Sequence, residues 1–529
     1  MIKNFKWLLF ASLAFVACNN EDEVVVEANS SDGKPLTSGT ANFSKYVALG
    51  NSLTAGFSDN ALFIKGQEGS YTNVMAQQFK LVGGGEFKIP FMADNIGGLL
   101  FGGQMNPAFG PRLFFDLTPP PPLKSPTPLL VAGMPTTEVF NPAIVAAGPY
   151  NNTGVPGAKS FHLLSPTYGS AAGLATGTAN PYYVRFAPNG STSVLAYAMS
   201  QTPTFFSLWI GNNDVLGYAT SGGDGSNPIT PVTGAPGVGF DGTYTALVNT
   251  LTSAGAKGVV ANIPYVTSIP FFKTVPHNPL SVSVLGGGDV ALGTATVNAL
   301  NAQLYGPLKQ ALTAFGAGDR INLLSTTVSN PLLMKDETLT NLSAQLTAAF
   351  TPSLGAQTAA FYGNVFGQAR QANSSDLVLL TTQSAIGAAP TAVNSGLGIV
   401  PPAPLNKFGI TYPLQDKYIL ISTEIAELKT ATDSYNTIIK SLADTKGLAF
   451  VDANAFLRQI DSGGINANGF NVTSAFVTGG GFSLDGVHPS PRGYALIANK
   501  FIEAINLKYG SNIKGVDLSK YRILFPEVL

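Results

Sequence analysis

Ser52 is the first residue whose type and setting suit it to chemistry. It follows the apolar run 46–49 and lies between Gly50 and Gly56. A serine at the end of a buried strand, flanked by glycines, is where an α/β enzyme can present a nucleophile, although Gly-x-Ser is also common in tight turns. Because a hydroxyl is a weak nucleophile until a base removes its proton, Ser52 needs a partner elsewhere in the chain.

A candidate partner lies near the C-terminus, where Asp485 precedes His488 by three residues. Histidine is suited to act as a base near neutral pH. A carboxylate that accepts a hydrogen bond from one ring nitrogen fixes the tautomer in which the other nitrogen is the base. The alternative is a loop that enters a helix with a solvated Asp and His.

Two further blocks offer groups that can stabilise a developing oxyanion. Asn213 follows the apolar run 204–210, so its amide can lie at the end of a strand and donate to that oxygen. The segment 152–158 contains glycines whose backbone N–H groups can approach the same atom. An Asn-Asp pair is also common in turns, and each block alone is ordinary.

Taken in order, the four blocks resemble those of the SGNH hydrolases, also called the GDSL lipase/esterase family. The family's Gly-Asp-Ser-Leu is similar to Gly-Asn-Ser-Leu at 50–53, its Gly-x-Asn-Asp to 211–214 and its Asp-x-x-His to 485–488. Asn51 replaces the Asp of the first motif, which is not the triad acid in the family. The blocks are also much further apart here than in compact family members.

The resemblance implies a role for each matching residue. Ser52 is the nucleophile, and Asp485 and His488 complete the triad. The oxyanion hole is formed by the backbone N–H of Ser52, by Gly157 and by Asn213. Gly157 is preferred to Gly154 because the family spacing Asn-x-x-Val/Ile-x-Gly aligns Asn152 with Gly157.

The resemblance also implies a function and a fold. The function is a serine ester hydrolase that acts through an acyl-enzyme on lipid, aryl or acylated-glycan esters, with no metal or organic cofactor. The alternative is a surface-exposed lipoprotein that binds glycan or protein and carries a relic hydrolase site. The fold is α/β, a three-layer α/β/α sandwich with a mainly parallel sheet of the SGNH or flavodoxin-like type, enlarged by loop-rich insertions.

The elements that must position these residues can be predicted from hydrophobic periodicity. Apolar runs at 46–49, 204–210, 258–263 and 448–451 predict buried strands. Between them, 243–254 and the stripe from Ile425 to Leu442 predict helices, and Ser490-Pro491 predicts the cap and first residue of another. Short apolar strands that alternate with helices favour a parallel sheet covered on both faces.

The chain of 529 residues has room for about three domains or for one elaborated domain. We predict one hydrolase domain over 43–510, with insertions at about 84–150, 217–240 and 274–415, and a C-terminal tail over 511–529. Prolines 119–122 predict a polyproline II segment.

Composition excludes several classes of function. Charged residues make up 11% of the chain, the formal net charge is −1, and no basic block occurs, so an electrostatic nucleic-acid binder is excluded. One cysteine excludes a disulfide framework and a cysteine-based zinc site. The partner that the resemblance to the SGNH hydrolases implies is an ester substrate, whether acyl lipid or acylated glycan. A lipid anchor at Cys18 would add a membrane.

The N-terminus predicts export and a lipid anchor. Lys3 and Lys6 precede a ten-residue apolar stretch, 7–16, which is too short to span a bilayer. It ends at Ala17-Cys18, which resembles a bacterial lipobox and implies a signal peptide over 1–17 and lipidation of Cys18. The alternative is an ordinary secretory signal with an incidental cysteine.

The residues that follow Cys18 predict a flexible linker over 18–42. The acidic cluster 19–23 resembles the surface-export signal of Bacteroidetes lipoproteins. A solvated tether is the alternative for these residues. We therefore expect an exported bacterial lipoprotein of the outer membrane, either periplasmic or exposed on the cell surface.

Overall fold

The computed structural model describes residues 34–115 and 129–529. The predicted signal peptide, Cys18 and the prolines 119–122 lie outside the described residues. In the part of the chain that is described, no helix combines the length and apolar character needed to cross a membrane.

Five parallel strands form the central sheet of an α/β fold. They are β1 (Tyr46–Gly50), β2 (Asn152–Gly154), β3 (Phe205–Trp209), β4 (Lys257–Ala261) and β5 (Ala449–Val451). Their spatial order is β5-β4-β3-β1-β2. The predictions of β1, β3, β4 and β5 from apolar runs are confirmed, whereas β2 has the polar sequence Asn-Thr-Gly and no periodicity that could reveal it.

Helices pack against both faces of this sheet, because successive side chains of a strand point to opposite sides. Tyr46 and Ala48 belong to one hydrophobic cluster, and Val47 and Leu49 belong to another. The helices that pack on the sheet or border its carboxyl edge are α1 (Ser52–Ala55), α2 (Tyr71–Lys80), α3 (Asn212–Thr220), α4 (Phe240–Thr252), α5 (Ser422–Lys446), α6 (Ala453–Ser462) and α7 (Pro491–Tyr509). α2 and α7 supply residues to the first cluster, and α4 and α5 supply residues to the second.

The carboxyl edge of the sheet is where helices begin. α1, α3 and α6 start within three residues of the ends of β1, β3 and β5. α7 begins at Pro491 with Ser490 as its N-cap, since the Ser490 side chain accepts a hydrogen bond from the backbone N–H of Gly493. The predicted cap is therefore confirmed. Ligands of open α/β sheets collect at this edge.

The first insertion is built from short strands and turns. Leu100–Phe101 pairs with Gln104–Met105, and Leu113–Phe115 pairs with Leu129–Val131, both antiparallel. The short helices outside the third insertion, 274–415, are Ile64–Glu68, Pro142–Ala146, Pro181–Val184, Val194–Met199 and Pro270–Lys273.

The third insertion, predicted at 274–415, has a hydrophobic core of its own, formed by residues between Val275 and Ile421. Its α-helices are Val282–Leu285, Val290–Leu300, Gly306–Ala314, Ser343–Leu354 and Ala356–Phe366. Its strand pairs are Leu333–Lys335 with Ala369–Gln371, and Leu377–Val378 with Ile419–Leu420. It approaches the loop 485–488, where the side chain of Leu380 lies close to Gly486.

Both ends of the described chain pack on the domain. The backbone N–H of Thr40 donates to the carbonyl of Tyr509 at the end of α7. A short antiparallel pair of strands, Ile465–Ala467 and Phe470–Val472, comes before α7. The segment after α7 buries Leu518 and Phe525. The guanidinium of Arg112 holds that segment by donating to the carbonyls of Pro526 and Glu527, 2.7 Å each.

Candidate active site

Three predicted residues form one continuous chain of hydrogen bonds. The Nε2 atom of His488 lies 2.8 Å from Ser52 Oγ, and its Nδ1 atom lies 2.8 Å from Asp485 Oδ2. Ser52 is 7% exposed, and the side chains of His488 and Asp485 are 14% and 9% exposed. Ser52 and His488 are 436 positions apart in the sequence, and the fold brings them into direct contact.

The charge state of Asp485 fixes the role of each ring nitrogen. Burial raises the pKa of this carboxyl, but the adjacent His488 and the backbone N–H groups of His488 and Val487 outweigh burial and bring the pKa down to about 2. The ionised carboxylate can only accept hydrogen bonds. His488 Nδ1 therefore carries the proton, and Nε2 is left as the acceptor that faces the Ser52 hydroxyl.

The turn from β1 into α1 presents Ser52. Asn51 caps α1, because its side-chain oxygen accepts from the backbone N–H of Leu53 at 3.0 Å. Its amide nitrogen donates to Asn212 Oδ1 at 3.2 Å, which ties the start of α1 to the start of α3. An aspartate at position 51 could cap the helix in the same way, but it has no N–H to donate to Asn212.

A ring of donors surrounds the Asp485 carboxylate. Oδ1 accepts from the backbone N–H groups of Val487 and His488, both at 2.8 Å, and from the Ser483 hydroxyl at 3.1 Å. Oδ2 accepts from the backbone N–H of Asn60 at 3.0 Å. With His488 Nδ1, the carboxylate has five partners, which hold it in one orientation and keep it ionised.

Asp59 supports the loop that carries Asp485. Its Oδ1 accepts from the backbone N–H of Leu484 at 2.9 Å, and its own N–H donates to Ser483 Oγ at 3.0 Å. Asp59 is 1% exposed, and its Oδ2 has no hydrogen-bond partner among the described residues. Burial, opposed by the Leu484 N–H, raises the pKa of Asp59 to about 7.

The side of the site where the sequence predicts oxyanion donors is built from α3 and the segment after β2. Asn213 Nδ2 donates to the carbonyl of Ala158 at 2.9 Å, which orients the amide and leaves its second hydrogen for another acceptor. Gly154 is unavailable as a donor, since its N–H bonds to Asn152 Oδ1 at 2.9 Å. Gly157, with φ of +80°, has no hydrogen bond from its N–H within the described residues.

Asp214 locks that segment to α3. Its Oδ2 accepts from the backbone N–H of Ser160 at 2.8 Å, and its Oδ1 accepts from the Ser160 hydroxyl at 2.6 Å. Asp214 is fully buried. Burial raises the pKa of this carboxyl to about 6, and the two Ser160 donors limit the rise.

A cavity of about 90 Å³ opens beside the triad. Its polar end is formed by Ser52, Asn213 and His488, together with Asn51 and Asn212. The rest of its lining is apolar and comes from β3, α1, α3, α6, α7, the loop 481–489 and the segment after β4. An ester whose carbonyl carbon reaches Ser52 can therefore place an apolar group away from water.

The structure thus brings together Ser52, Asp485 and His488 by direct bonds, and places Asn213 on the same cavity. Gly157 does not line that cavity; it lines a neighbouring groove and is linked to Asn213 through Ala158. Sequence reasoning missed Asp59, Ser483 and the role of Asp214. For Asp59, the signal was available only as a polar Ser-Asp-Asn turn at 58–60.

No protein-family model, curated protein or solved structure matches this chain. The interpretation of the site consequently depends on its own geometry.

Proposed function

We propose that this chain is a serine ester hydrolase that acts through an acyl-enzyme, as its resemblance to the SGNH hydrolases implies. The observation that carries the proposal is the unbroken set of hydrogen bonds from Asp485 through His488 to Ser52, beside an apolar cavity. The five-stranded parallel sheet with helices on both faces supports the finer fold expectation, a three-layer sandwich of the SGNH type.

The first half of the reaction uses Ser52 as the nucleophile. Its Oγ forms a bond to the ester carbonyl carbon while its proton passes to His488 Nε2. The Asp485 carboxylate stabilises the imidazolium that results. Negative charge develops on the carbonyl oxygen, where the Asn213 amide and the N–H groups of Ser52 and Gly157 donate. The ester C–O bond then breaks, and His488 returns the proton to the leaving alkoxide.

The second half repeats these steps with water. His488 Nε2 removes a proton from a water molecule, whose oxygen attacks the acyl carbon. The same donors hold the oxyanion. The bond from the acyl carbon to Ser52 Oγ breaks, the serine oxygen takes the proton from His488, and the carboxylic acid leaves. Each step balances without a redox partner.

A labelling experiment tests this proposal. A fluorophosphonate probe should label Ser52 in the wild-type protein, and p-nitrophenyl butyrate should be hydrolysed. Ser52→Ala should abolish both signals, while Ser441→Ala, which changes an exposed serine of α5, should keep both. A folded wild-type protein that takes no label and hydrolyses no ester would favour the alternative of a binding lipoprotein with a relic site.

We propose further that the protein is an exported lipoprotein anchored through Cys18, as the lipobox-like sequence implies. Cys18 is the sole thiol of the chain. A fatty-acid probe supplied to expressing cells should label the wild type and not Cys18→Ala, and the variant should leave the membrane fraction. Equal labelling of both proteins would disprove the anchor. Protease treatment of intact cells distinguishes outward from periplasmic exposure.

A further inference from the structure

Two clefts of different size border the triad. The first, here called the slot, is the 90 Å³ cavity that Ser52, Asn213 and His488 line. The second, here called the groove, measures about 600 Å³ and is lined by Gly157 and by residues of the first insertion. The two share no lining residue. Phe57 separates them, since its ring lies 4.6 Å from the His488 ring and its other side faces the groove.

The slot is narrow and has fixed walls. α6 contributes Phe456, Leu457 and Ile460, and the loop 481–489 contributes Phe482 and Val487. Leu457, Ile460 and Phe482 are each at most 8% exposed. Protein interiors of this kind are close-packed and do not expand to admit larger groups without cost. The slot therefore sets an upper limit on the size of what it accepts.

The groove is wide and more open to solvent. Met105, Val131 and Met134 line it and are 44%, 54% and 64% exposed. Prolines of the first insertion also line the groove, together with Phe109, Tyr182 and Phe57, whose rings contact one another through Tyr182. Methionine side chains adapt to ligands of irregular shape. A large apolar group can therefore lie in the groove in several orientations.

We propose that the slot holds the acyl chain and the groove holds the alcohol moiety of the ester. The inference rests on the proposed function. The acyl group stays bonded to Ser52 until water attacks, so it suits the cavity that Ser52 itself lines. The alcohol must leave before that water enters, so it suits the more open cleft, which borders His488 through Phe57.

The lining chemistry also selects among the substrate classes. No charged side chain lines either cleft among the described residues, and the polar side chains of the groove are Asn60 and Tyr182. A sugar has many hydroxyls that lose hydrogen bonds to water when they are buried without partners. The alcohol that fits is therefore a bulky apolar one. The substrate class is an ester of a short to medium acyl chain with an apolar or aromatic alcohol, rather than an acylated glycan.

Two ester series test this assignment. In the first, the leaving group is p-nitrophenol and the acyl group runs from acetyl through butyryl and octanoyl to palmitoyl. kcat/KM should rise about fourfold for each methylene that enters the slot and should fall once the slot is full, with palmitoyl below octanoyl. In the second series the acyl group is butyryl, and kcat/KM should be higher for the naphthyl ester than for the methyl ester by a larger factor than the ratio of their rates of alkaline hydrolysis, which measures the better leaving group alone.

Crossed variants assign each cleft to one half of the substrate. Phe456→Ala enlarges the slot and should move the acyl maximum to longer chains without changing the naphthyl-to-methyl ratio. Met134→Glu places a charge in the groove and should lower that ratio about tenfold without moving the acyl maximum. Val393→Glu adds the same charge at a residue that is 93% exposed and lines neither cleft, and serves as the matched control. Thermal unfolding of each variant confirms that it is folded.

The outcomes separate the two proposals. No ester hydrolysis and no fluorophosphonate label on Ser52 would reject the proposed function itself. Hydrolysis with the two variants exchanging their effects would show that the clefts are assigned the wrong way round. Hydrolysis of acetylated xylan faster than naphthyl butyrate would overturn the substrate class while leaving the serine mechanism intact.

Discussion

The two halves of the site are supported in different ways. On the half proposed for acid–base chemistry, Asp485 has four donors besides the His488 ring, three of them backbone N–H groups of residues 60, 487 and 488. On the oxyanion half, Asp214 is held by the N–H and the hydroxyl of a single residue, Ser160. The half around Asp485 therefore depends mainly on the backbone of two loops. The half around Asp214 depends on the Asp214 side chain and on Ser160.

The difference teaches where each half is vulnerable. Backbone donors survive most substitutions, so the geometry around Asp485 should tolerate the loss of any one neighbouring side chain. The segment 157–160 reaches α3 through Asp214 and through the bond from Asn213 to Ala158. Changes to the side chains of Asp214, Ser160 or Asn213 should therefore disturb the site more than changes to the side chains around Asp485.

The largest effect is expected from the triad itself. Ser52→Ala and His488→Ala should each lower kcat for p-nitrophenyl butyrate about 10⁴-fold or more, and the double variant should be scarcely worse because the two residues act as a unit. Steady-state kinetics of the purified variants measures this. Additive losses in the double variant would show that Ser52 and His488 act in separate steps.

Asn213→Ala tests the oxyanion half directly. Loss of one such donor costs about 10²–10³-fold in kcat, and KM should change little because the bond strengthens mainly in the transition state. The comparison with Asn212→Ala is informative, since Asn212 bonds to Asn51 rather than to the segment that carries Gly157. A raised KM with unchanged kcat in Asn213→Ala would instead indicate a role in ground-state binding.

Much of the fold was predictable because the sheet is buried on both faces. Strands such as β3, with the sequence Phe-Phe-Ser-Leu-Trp, carry a continuous apolar signal. β2 carries none, because the side chains of Asn152 and Thr153 turn inward to bond with the backbone carbonyls of Thr54 and Ala48. A strand whose buried side chains are polar and locally satisfied leaves no hydrophobic period.

The candidate triad was predictable from motif order, whereas its supports were not. Ser52 and His488 stand in recognisable blocks, but Asp59 and Ser483 support Asp485 from positions more than 420 residues apart in sequence. Nothing in either segment alone indicates that contact. The separate core of the third insertion was missed for a related reason, since its apolar residues converge from many short helices with weak periodicity.

A pair of serine variants sharpens the comparison between the halves. Ser160→Ala removes one of the two donors to the buried Asp214 carboxyl and should lower the free energy of unfolding by about 1.5–3 kcal/mol, with a fall in kcat. Ser483→Ala leaves Asp485 with its three backbone donors but takes the acceptor away from the buried Asp59 N–H, so it should cost about 1–3 kcal/mol with little change in kcat. Urea unfolding at neutral pH measures both. A fall in kcat in Ser483→Ala as large as that in Ser160→Ala would contradict the contrast between the two halves.

The smallest effect on turnover is expected from Asp59→Asn, which keeps an oxygen for the Leu484 N–H and removes a titrating group. Because burial raises the pKa of Asp59 to about 7, the folded protein binds a proton that the unfolded chain has released above about pH 4. The stability from this proton is fully present below about pH 4 and is lost as pH rises toward about 7.

The wild-type free energy of unfolding should therefore fall relative to that of Asp59→Asn across this window, by about 1 kcal/mol per pH unit. Asp214, with its pKa near 6, titrates in the same window, so only the difference between the two proteins isolates Asp59. Asp485, with its pKa near 2, loses its stabilising charge only as pH falls below about 4 and contributes nothing to the slope. Parallel stability profiles for wild type and variant would show that Asp59 is already ionised in the folded protein across this window.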